Sequence, residues 1–293
     1  MDGALEITHD AQGWSFDLPD PPALGALLRG QAAQAAADLL PRMFNLCSAA
    51  QGMAARLSLG LPLDPDTPDT LAHEVLRDHL LALFITLPRA ANLPAAPLPA
   101  GWQDRPDLAP ALWGGPRPAV LAQWMASGQG LAPLVARVAD LFGTQGCVPP
   151  LPFAAAHNAD RSAPLENSPA ARHADDPLMR QAEMLAGRGA LWRILGRICD
   201  AEAAARGQLP APELRADGMA LVPAARGVYA LRLQTCQGRV TSVCRITPTD
   251  HMLAPDGTLR QAFATLKRPA LAALLVALHD PCLPVTLREV DHA

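Results

Sequence analysis

The sequence predicts an α+β protein with a mainly helical body and a β-hairpin region near its C-terminus. Two observations support this fold class. Through most of the chain, apolar residues recur at helical spacing, as in the predicted helix over residues 70–86. In the last third, residues 219–222, 227–235 and 239–246 are strand-like, and Gln237-Gly238 is typical of a hairpin turn between the last two strands.

The other elements follow from local patterns. Residues 1–22 alternate apolar and polar side chains around a turn at 10–13, which predicts an N-terminal hairpin. Residues 143–176 have little hydrophobic periodicity, so we predict a flexible, exposed connection within a single domain spanning 1–293. Further helices are predicted at residues 23–40, 41–59, 119–142 (broken near 128–130), 177–206, 259–266 and 271–278.

Composition excludes several classes of function. The chain has 293 residues, a net charge of −4 and no block of Lys and Arg, so nucleic acid and anionic membranes are poor candidate partners. No basic segment followed by an apolar run marks a signal peptide, and the longest apolar run, 269–278, is too short for a membrane span. The sequence therefore predicts a cytoplasmic protein.

The six cysteines show no C-x-x-C spacing, which argues against a zinc site or a disulfide framework. Cys282 nevertheless follows a proline that should end a helix, so its thiol is expected in a fixed loop near free backbone N–H groups. An isolated cysteine is usually a small buried apolar residue. That interpretation is favoured for Cys147, Cys199, Cys236 and Cys244.

Taken together, the segments around Cys47 and Cys282 resemble the two metal-binding motifs of the nickel–iron hydrogenase large subunit. The first motif reads Arg-x-Cys-Gly-x-Cys-x-x-x-His, and the second reads Asp-Pro-Cys-x-x-Cys-x-x-His. The residues that match are Arg42, Cys47, Asp280, Pro281 and Cys282. The residues that replace a Cys, Gly or His of the motifs are Phe44, Asn45, Gln51, Val285 and Arg288.

The resemblance continues between the two motifs. Arg226 and Gly227 match a Glu-Ala-Pro-Arg-Gly segment, and Pro248-Thr249 matches a Val-Pro-Thr segment that follows a hairpin. The similarity covers about the first 60 and the last 75 residues. The chain is thereby identified as a shortened relative of the large subunit, similar to the hydrogenase expression/formation proteins of the HupK (HoxV) type.

The resemblance implies a metal site that has lost half of its thiols. Phe44 and Val285 cannot ligate a metal, so no nickel site is expected. Cys47 and Cys282 could still bind a transient Fe(CN)₂(CO) unit, with Arg226 and Thr249 contacting its cyanides. Arg42 and Asp280 would surround the ligating residues and orient them without binding the metal. Arg226 is also expected to lower the pKa of both thiols.

The resemblance implies a non-catalytic maturation factor, a scaffold or chaperone for the iron unit. Its partners would be hydrogenase maturation chaperones and the hydrogenase large subunit. One alternative is a metal-free interaction protein that mimics the large subunit to bind maturation partners. Another is a redox enzyme or divergent hydrogenase, against which the missing ligands argue. The iron hypothesis requires Cys47 and Cys282, which are 235 residues apart, to meet in the structure.

Overall fold

The computed structural model describes residues 3–21, 23–44, 46–105 and 107–289. Asn45 and the two ends of the predicted 1–293 domain lie outside these residues. The described residues form fourteen α-helices, α1 to α14 in chain order: Leu24–Leu28, Ala33–Leu39, Ser48–Ser58, Thr67–Leu81, Leu87–Ala90, Ala109–Trp113, Leu121–Ser127, Ala132–Phe142, Pro169–Arg172, Pro177–Ala186, Ala190–Ala205, Pro248–Leu253, Thr258–Ala264 and Ala272–His279.

Seven strands complete the described elements and confirm the α+β class. They are β1 to β7: Leu5–Asp10, Gly13–Asp17, Glu213–Leu214, Ala220–Ala224, Gly227–Cys236, Arg239–Ile246 and Val285–Glu289. Short 3₁₀ turns cover Leu40–Arg42, Trp102–Asp104 and Pro269–Leu271, and a π-helical turn, Ala82–Thr86, extends α4. The predicted break near 128–130 is confirmed, since α7 ends at Ser127 and α8 begins at Ala132.

Helix α11 forms the centre of the helical body. It packs against α4, α8, α9, α10 and α14, and nearly all of its side chains are buried. A Cβ on Gly196 would lie 2.3 Å from the Cα of Ala170, so only glycine allows α9 this close. The prediction of one helix over 177–206 is wrong, because the chain bends at 187–189, where Gly187 has a φ of 66°.

The first sheet joins the two ends of the chain. Its strand order is β2-β1-β7, with β1 antiparallel to β2 and parallel to β7. The hairpin of β1 and β2 confirms the N-terminal prediction. Strand β7 was missed, because its pairing with β1, which sets Leu5 opposite Val285, joins segments that are distant in sequence.

The second sheet is antiparallel, with the order β3-β4-β5-β6. Its last hairpin confirms the sequence prediction: Gln237 and Gly238 both have positive φ values, 50° and 73°. Such values match the strand twist, which is why an x-Gly turn is favoured here. The tight turn between β4 and β5 carries Arg226.

The predicted exposed connection over 143–176 is wrong for its second half, where residues 165–170 are buried. Glu166 forms a buried ion pair with Arg193 of α11 at 2.9 Å. Asn167 accepts a hydrogen bond from the N–H of Val228 at 2.6 Å and donates one to the carbonyl of the same residue. A segment held by buried polar contacts has no hydrophobic periodicity to detect.

Within the described ranges, no single helix combines the length and apolar composition of a membrane span. By composition, helices over 248–264 and 269–279 pass such a test only as a pair bent by 120°.

Three buried histidines have the hydrogen bonds of neutral imidazoles. The pKa of His79, His251 and His279 is lowered, chiefly by burial. One nitrogen of His251 lies 3.0 Å from the carbonyl of Arg161, to which it can donate, and the other lies 2.9 Å from the amide nitrogen of Asn167, from which it can accept. The three rings are therefore uncharged in the folded protein near neutral pH.

We expect the free energy of unfolding to fall as the pH drops below 6.5, the ordinary histidine value. The unfolded chain then binds protons that the folded chain excludes, so stability present above that pH is lost below it. Urea unfolding at about pH 7.5 and about pH 5.5 measures this loss. His279→Leu removes one of the three imidazoles and should reduce the loss. Equal stability of the parent protein at both pH values would contradict the prediction.

Candidate functional site

A cleft of about 1380 Å³ brings together distant parts of the chain. Its walls come from the N-terminal segment, strands β5 and β6, helix α12 and the loop after α14. Five of the six residues predicted to form the site line this cleft: Cys47, Arg226, Thr249, Asp280 and Cys282. The sixth, Arg42, is exposed on a 3₁₀ turn and does not line it.

Cys47 lies directly before helix α3 in a left-handed backbone conformation, with a φ of 55°. The free N–H groups of α3 are capped from another helix. Glu74 of α4 accepts hydrogen bonds from the backbone of Ala49 at 2.8 Å and of Ala50 at 3.2 Å. The side chain of Cys47 makes no capping bond and lines the cleft instead. Sequence reasoning missed Glu74, because a cap from a distant helix leaves no local pattern.

Cys282 is paired with Thr249. The Thr249 hydroxyl donates to the Cys282 sulfur at 3.0 Å and accepts from the Cys282 backbone N–H at 2.9 Å. Thr249 is held at the start of α12, where Thr247 and Asp250 form a reciprocal capping box. Helix α12 was not predicted because it has six residues, although the Thr-Pro-x-Asp pattern could have revealed its start.

Arg226 connects the two halves of the cleft. Its Nη1 lies 3.6 Å from the Cys47 sulfur and 3.4 Å from a carboxylate oxygen of Asp78. Its Nε donates to the backbone carbonyl of Asp280 at 3.0 Å, and its Nη2 donates to the carboxylate of the same residue at 3.2 Å. Burial alone would lower the pKa of Arg226, but Asp280 and Asp78 raise it above the ordinary value. Arg226 is therefore a permanent, fixed cation beside one sulfur.

The thiol of Cys47 is neutral in the protein as folded. Burial raises its pKa to about 12; Arg226 opposes this effect, while Glu74, Asp78 and Cys282 add to it. Arg226 does act to lower the pKa of Cys47, as expected, but the loss of solvation outweighs this one cation and the net shift is upward. Binding of a metal by this sulfur would have to release a proton.

Asp280 connects the cleft to a charged network inside the helical body. Its carboxylate lies 3.2 Å from Arg197 of α11, and the pKa of Asp280, which burial would raise, is held below its usual value by Arg197 and Arg226. Arg197 also approaches His79, whose other nitrogen lies 2.7 Å from the carboxylate of Asp200. Sequence reasoning missed Arg197 and Asp200. They are two of four charged residues on α11, and their partners lie on distant segments, so no local pattern marks them.

Phe44, which replaces a motif cysteine, contributes an apolar side chain to the cleft. The guanidinium of Arg245 lies 4.9 Å from the centre of the Phe44 ring and 5.6 Å from that of Tyr229. Among the described residues, no group of three or more His, Cys, Asp or Glu side chains is placed to hold a metal ion. The candidate ligands in this cleft are therefore its two free thiols, Cys47 and Cys282.

No protein-family model matches the chain. In three dimensions it is similar to the nickel–iron–selenium hydrogenase from Desulfovibrio vulgaris Hildenborough. The TM-score is 0.58 at 13% sequence identity, over 92% of this chain and 93% of that chain. The likeness extends across the middle of the chain, beyond the terminal segments in which the motifs lie. It confirms the predicted hydrogenase large-subunit fold.

Relatives found by sequence agree with the fold. The chain is 28% identical to the hydrogenase expression/formation protein HupK of Azotobacter vinelandii over 328 residues, which covers 92% of each protein. It is 47% identical to the hydrogenase expression/formation protein HupK of Rhodobacter capsulatus over 303 residues, covering 100% of both. The chain therefore belongs to the HupK family of hydrogenase expression/formation proteins.

Proposed function

We propose that this protein is a non-catalytic maturation factor for nickel–iron hydrogenase and acts as a scaffold for an Fe(CN)₂(CO) unit. Membership of a family named for hydrogenase expression and formation supports the maturation role. One observation carries the scaffold role. Two cysteines that are 235 residues apart line one cleft, and each sulfur is contacted by a residue proposed to bind cyanide.

The chemistry of the cleft suits a low-spin iron that already carries its diatomic ligands. Two thiolates are soft ligands of the kind that iron accepts. Arg226 offers charged donors with fixed geometry, and Thr249 offers a hydroxyl, both beside a sulfur. Phe44 and Val285 supply no further ligand, so a nickel site of the four-thiolate kind is not part of this proposal. Without nickel, no hydrogenase chemistry is expected.

The proposal includes partners and a compartment. The iron unit would arrive from hydrogenase maturation chaperones and pass to the hydrogenase large subunit. Exposed leucines border the cleft, among them Leu18, Leu27 and Leu46, and such apolar side chains suit transient contact with another protein. We place these steps in the cytoplasm, where thiols stay reduced.

The alternative of a metal-free interaction protein has one observation in its favour. Burial raises the pKa of Cys47 to about 12, so this thiol is neutral and poorly suited to bind a metal until it loses its proton. In that case the two cysteines would be relics in a fold that only binds maturation partners. Replacing both cysteines would then leave the function intact.

Infrared spectroscopy separates the two proposals. We expect protein purified without oxygen, from cells that make the maturation machinery, to show cyanide and carbonyl stretching bands. The Cys47→Ser/Cys282→Ser variant should lose them because it lacks both ligands. A Cys236→Ser/Cys244→Ser variant removes the same number of thiols from β5 and β6, outside the cleft, and should keep the bands.

Two results would contradict the scaffold proposal. The first is bands of equal intensity in both double variants. The second is the absence of bands from the parent protein while maturation partners still co-purify, which would favour the metal-free interaction protein.

A further inference from the structure

The proposed cargo brings negative charge into a partly buried cleft. Iron(II) with two cyanides and one carbon monoxide is neutral, and two ligating thiolates give the bound unit a net charge of −2. The nearby cations are already balanced: Arg226, beside the Cys47 sulfur, pairs with Asp78 and Asp280, and Arg197 of α11 pairs with Asp280. A buried charge without compensation is unfavourable. Another cation in the cleft would therefore favour the bound unit.

Arg245 of strand β6 meets this need. It lines the same cleft, and within the described ranges it forms no ion pair with a carboxylate. Its Nε is buried without a hydrogen-bond partner among the described residues. Its guanidinium lies over the rings of Phe44 and Tyr229, at 4.9 and 5.6 Å from their centres, and also hydrogen-bonds the Tyr229 side chain. The side chain is thus fixed by aromatic faces and keeps an unused donor.

Tyr229 lines the same cleft as both thiols and lies against this guanidinium. Burial raises the pKa of Tyr229 to about 12; Arg245 opposes that rise, and Cys47 and Cys282 add to it once they are deprotonated. Tyr229 is therefore close to Arg245 and within electrostatic range of both thiols. Phe44, the other ring against the guanidinium, lies three residues before Cys47.

Another arginine that lines the cleft, Arg260, is already held by other contacts. Arg260 donates its Nε to the carbonyl of Leu253 at 2.9 Å, and its guanidinium lies 4.8 Å from the centre of the Phe16 ring. These contacts hold it against α12 and the first sheet. Arg245 is therefore the better candidate to face a ligand between the thiols.

We propose that Arg245 is a second cation of the binding site and compensates the charge of an anionic dicyano-carbonyl iron unit held by Cys47 and Cys282. This inference rests on the proposed function. It also gives a role to Phe44, which stands where the family motif has a cysteine. A thiolate at that position would add negative charge to the cleft, whereas the Phe44 ring positions the positive charge of Arg245.

The test is infrared spectroscopy and iron analysis of Arg245→Gln, Arg245→Lys and the parent protein, all purified without oxygen from cells that make the maturation machinery. Without the guanidinium, more electron density stays on iron and flows into its ligands. We expect the carbonyl band of Arg245→Gln to move to lower wavenumber and its iron content to fall about fivefold. Arg245→Lys keeps the charge and should remain close to the parent. Arg239→Gln removes an exposed arginine of the same strand, outside the cleft, and should match the parent.

The possible outcomes separate this inference from the proposed function. Bands in Arg245→Gln at the parent wavenumbers, with full iron content, overturn the role of Arg245 and leave the scaffold intact. Absence of bands from the parent protein overturns both the role of Arg245 and the scaffold function. If Arg245→Gln does not fold, Phe44→Leu gives a second test, since it removes the ring that positions the guanidinium. A downshifted carbonyl band in that variant supports the proposal, and an unshifted band refutes it.

Discussion

Replacing Asp200 by asparagine is expected to lower the free energy of unfolding by about 3–5 kcal/mol, the usual effect of breaking a buried ion pair from one side. Asp200 is fully buried on α11. Its carboxylate accepts hydrogen bonds from Arg172 at 2.8 Å, from His79 at 2.7 Å and from His173 at 2.8 Å. Burial would raise its pKa, but Arg172 and both histidines hold the pKa far below its usual value. A neutral asparagine would leave the buried charge of Arg172 without its counterion.

Urea unfolding of the purified protein measures this loss. The matched control is Asp175→Asn, which removes a fully exposed carboxylate that pairs with Arg180 at 2.8 Å. Because exposed ion pairs contribute little, the control should lose less than about 1 kcal/mol. Equal losses in the two variants would show that the Asp200 network does not stabilise the fold.

The second large effect is expected from Gly227→Ala, at the turn that carries Arg226. Gly227 has a φ of 140°, which side chains other than hydrogen rarely allow. A Cβ there would lie 2.3 Å from the side-chain oxygen of Asn167 and 2.8 Å from its carbonyl oxygen. Asn167 cannot easily move, because it also bonds to Val228 and His251. We expect the free energy of unfolding to fall by about 3 kcal/mol or more, and Arg226 to be displaced from Asp280.

Gly238→Ala provides the comparison for this variant. Gly238 also has a positive φ, 73°, but no atom lies within 4 Å of a Cβ built there. The free energy of unfolding of Gly238→Ala should fall by only about 1 kcal/mol, the cost of the left-handed conformation itself. Urea unfolding gives both losses, and the infrared bands of the two variants report on the cleft. Similar losses, or unchanged bands in Gly227→Ala, would show that the close contact with Asn167 does not position Arg226.

Local patterns predict much of the fold and several members of the site. The β5–β6 hairpin follows from Gln237-Gly238, whereas Cys47 and Cys282 are selected from the six cysteines by the resemblance of their segments to the family motifs. Glu74, Asp200 and Arg245 could not be found in this way. Each acts through a contact with a distant segment, and neighbouring residues carry no sign of it. The net rise in the pKa of Cys47 could not be predicted either, since burial arises only from the packing of the whole chain.

The pairing of β1 with β7 determines when, during synthesis and folding, both thiols of the cleft can come together. Cys282 lies only three residues before β7, so the strand that closes the first sheet also carries the second thiol into the cleft. Closing so long a loop is entropically costly and slow compared with forming local hairpins and helices. On the ribosome, Cys47 emerges long before its partner sulfur is synthesised. A nascent chain therefore cannot present the thiol pair, and only a chain translated through β7 can receive a ligand that needs both sulfurs.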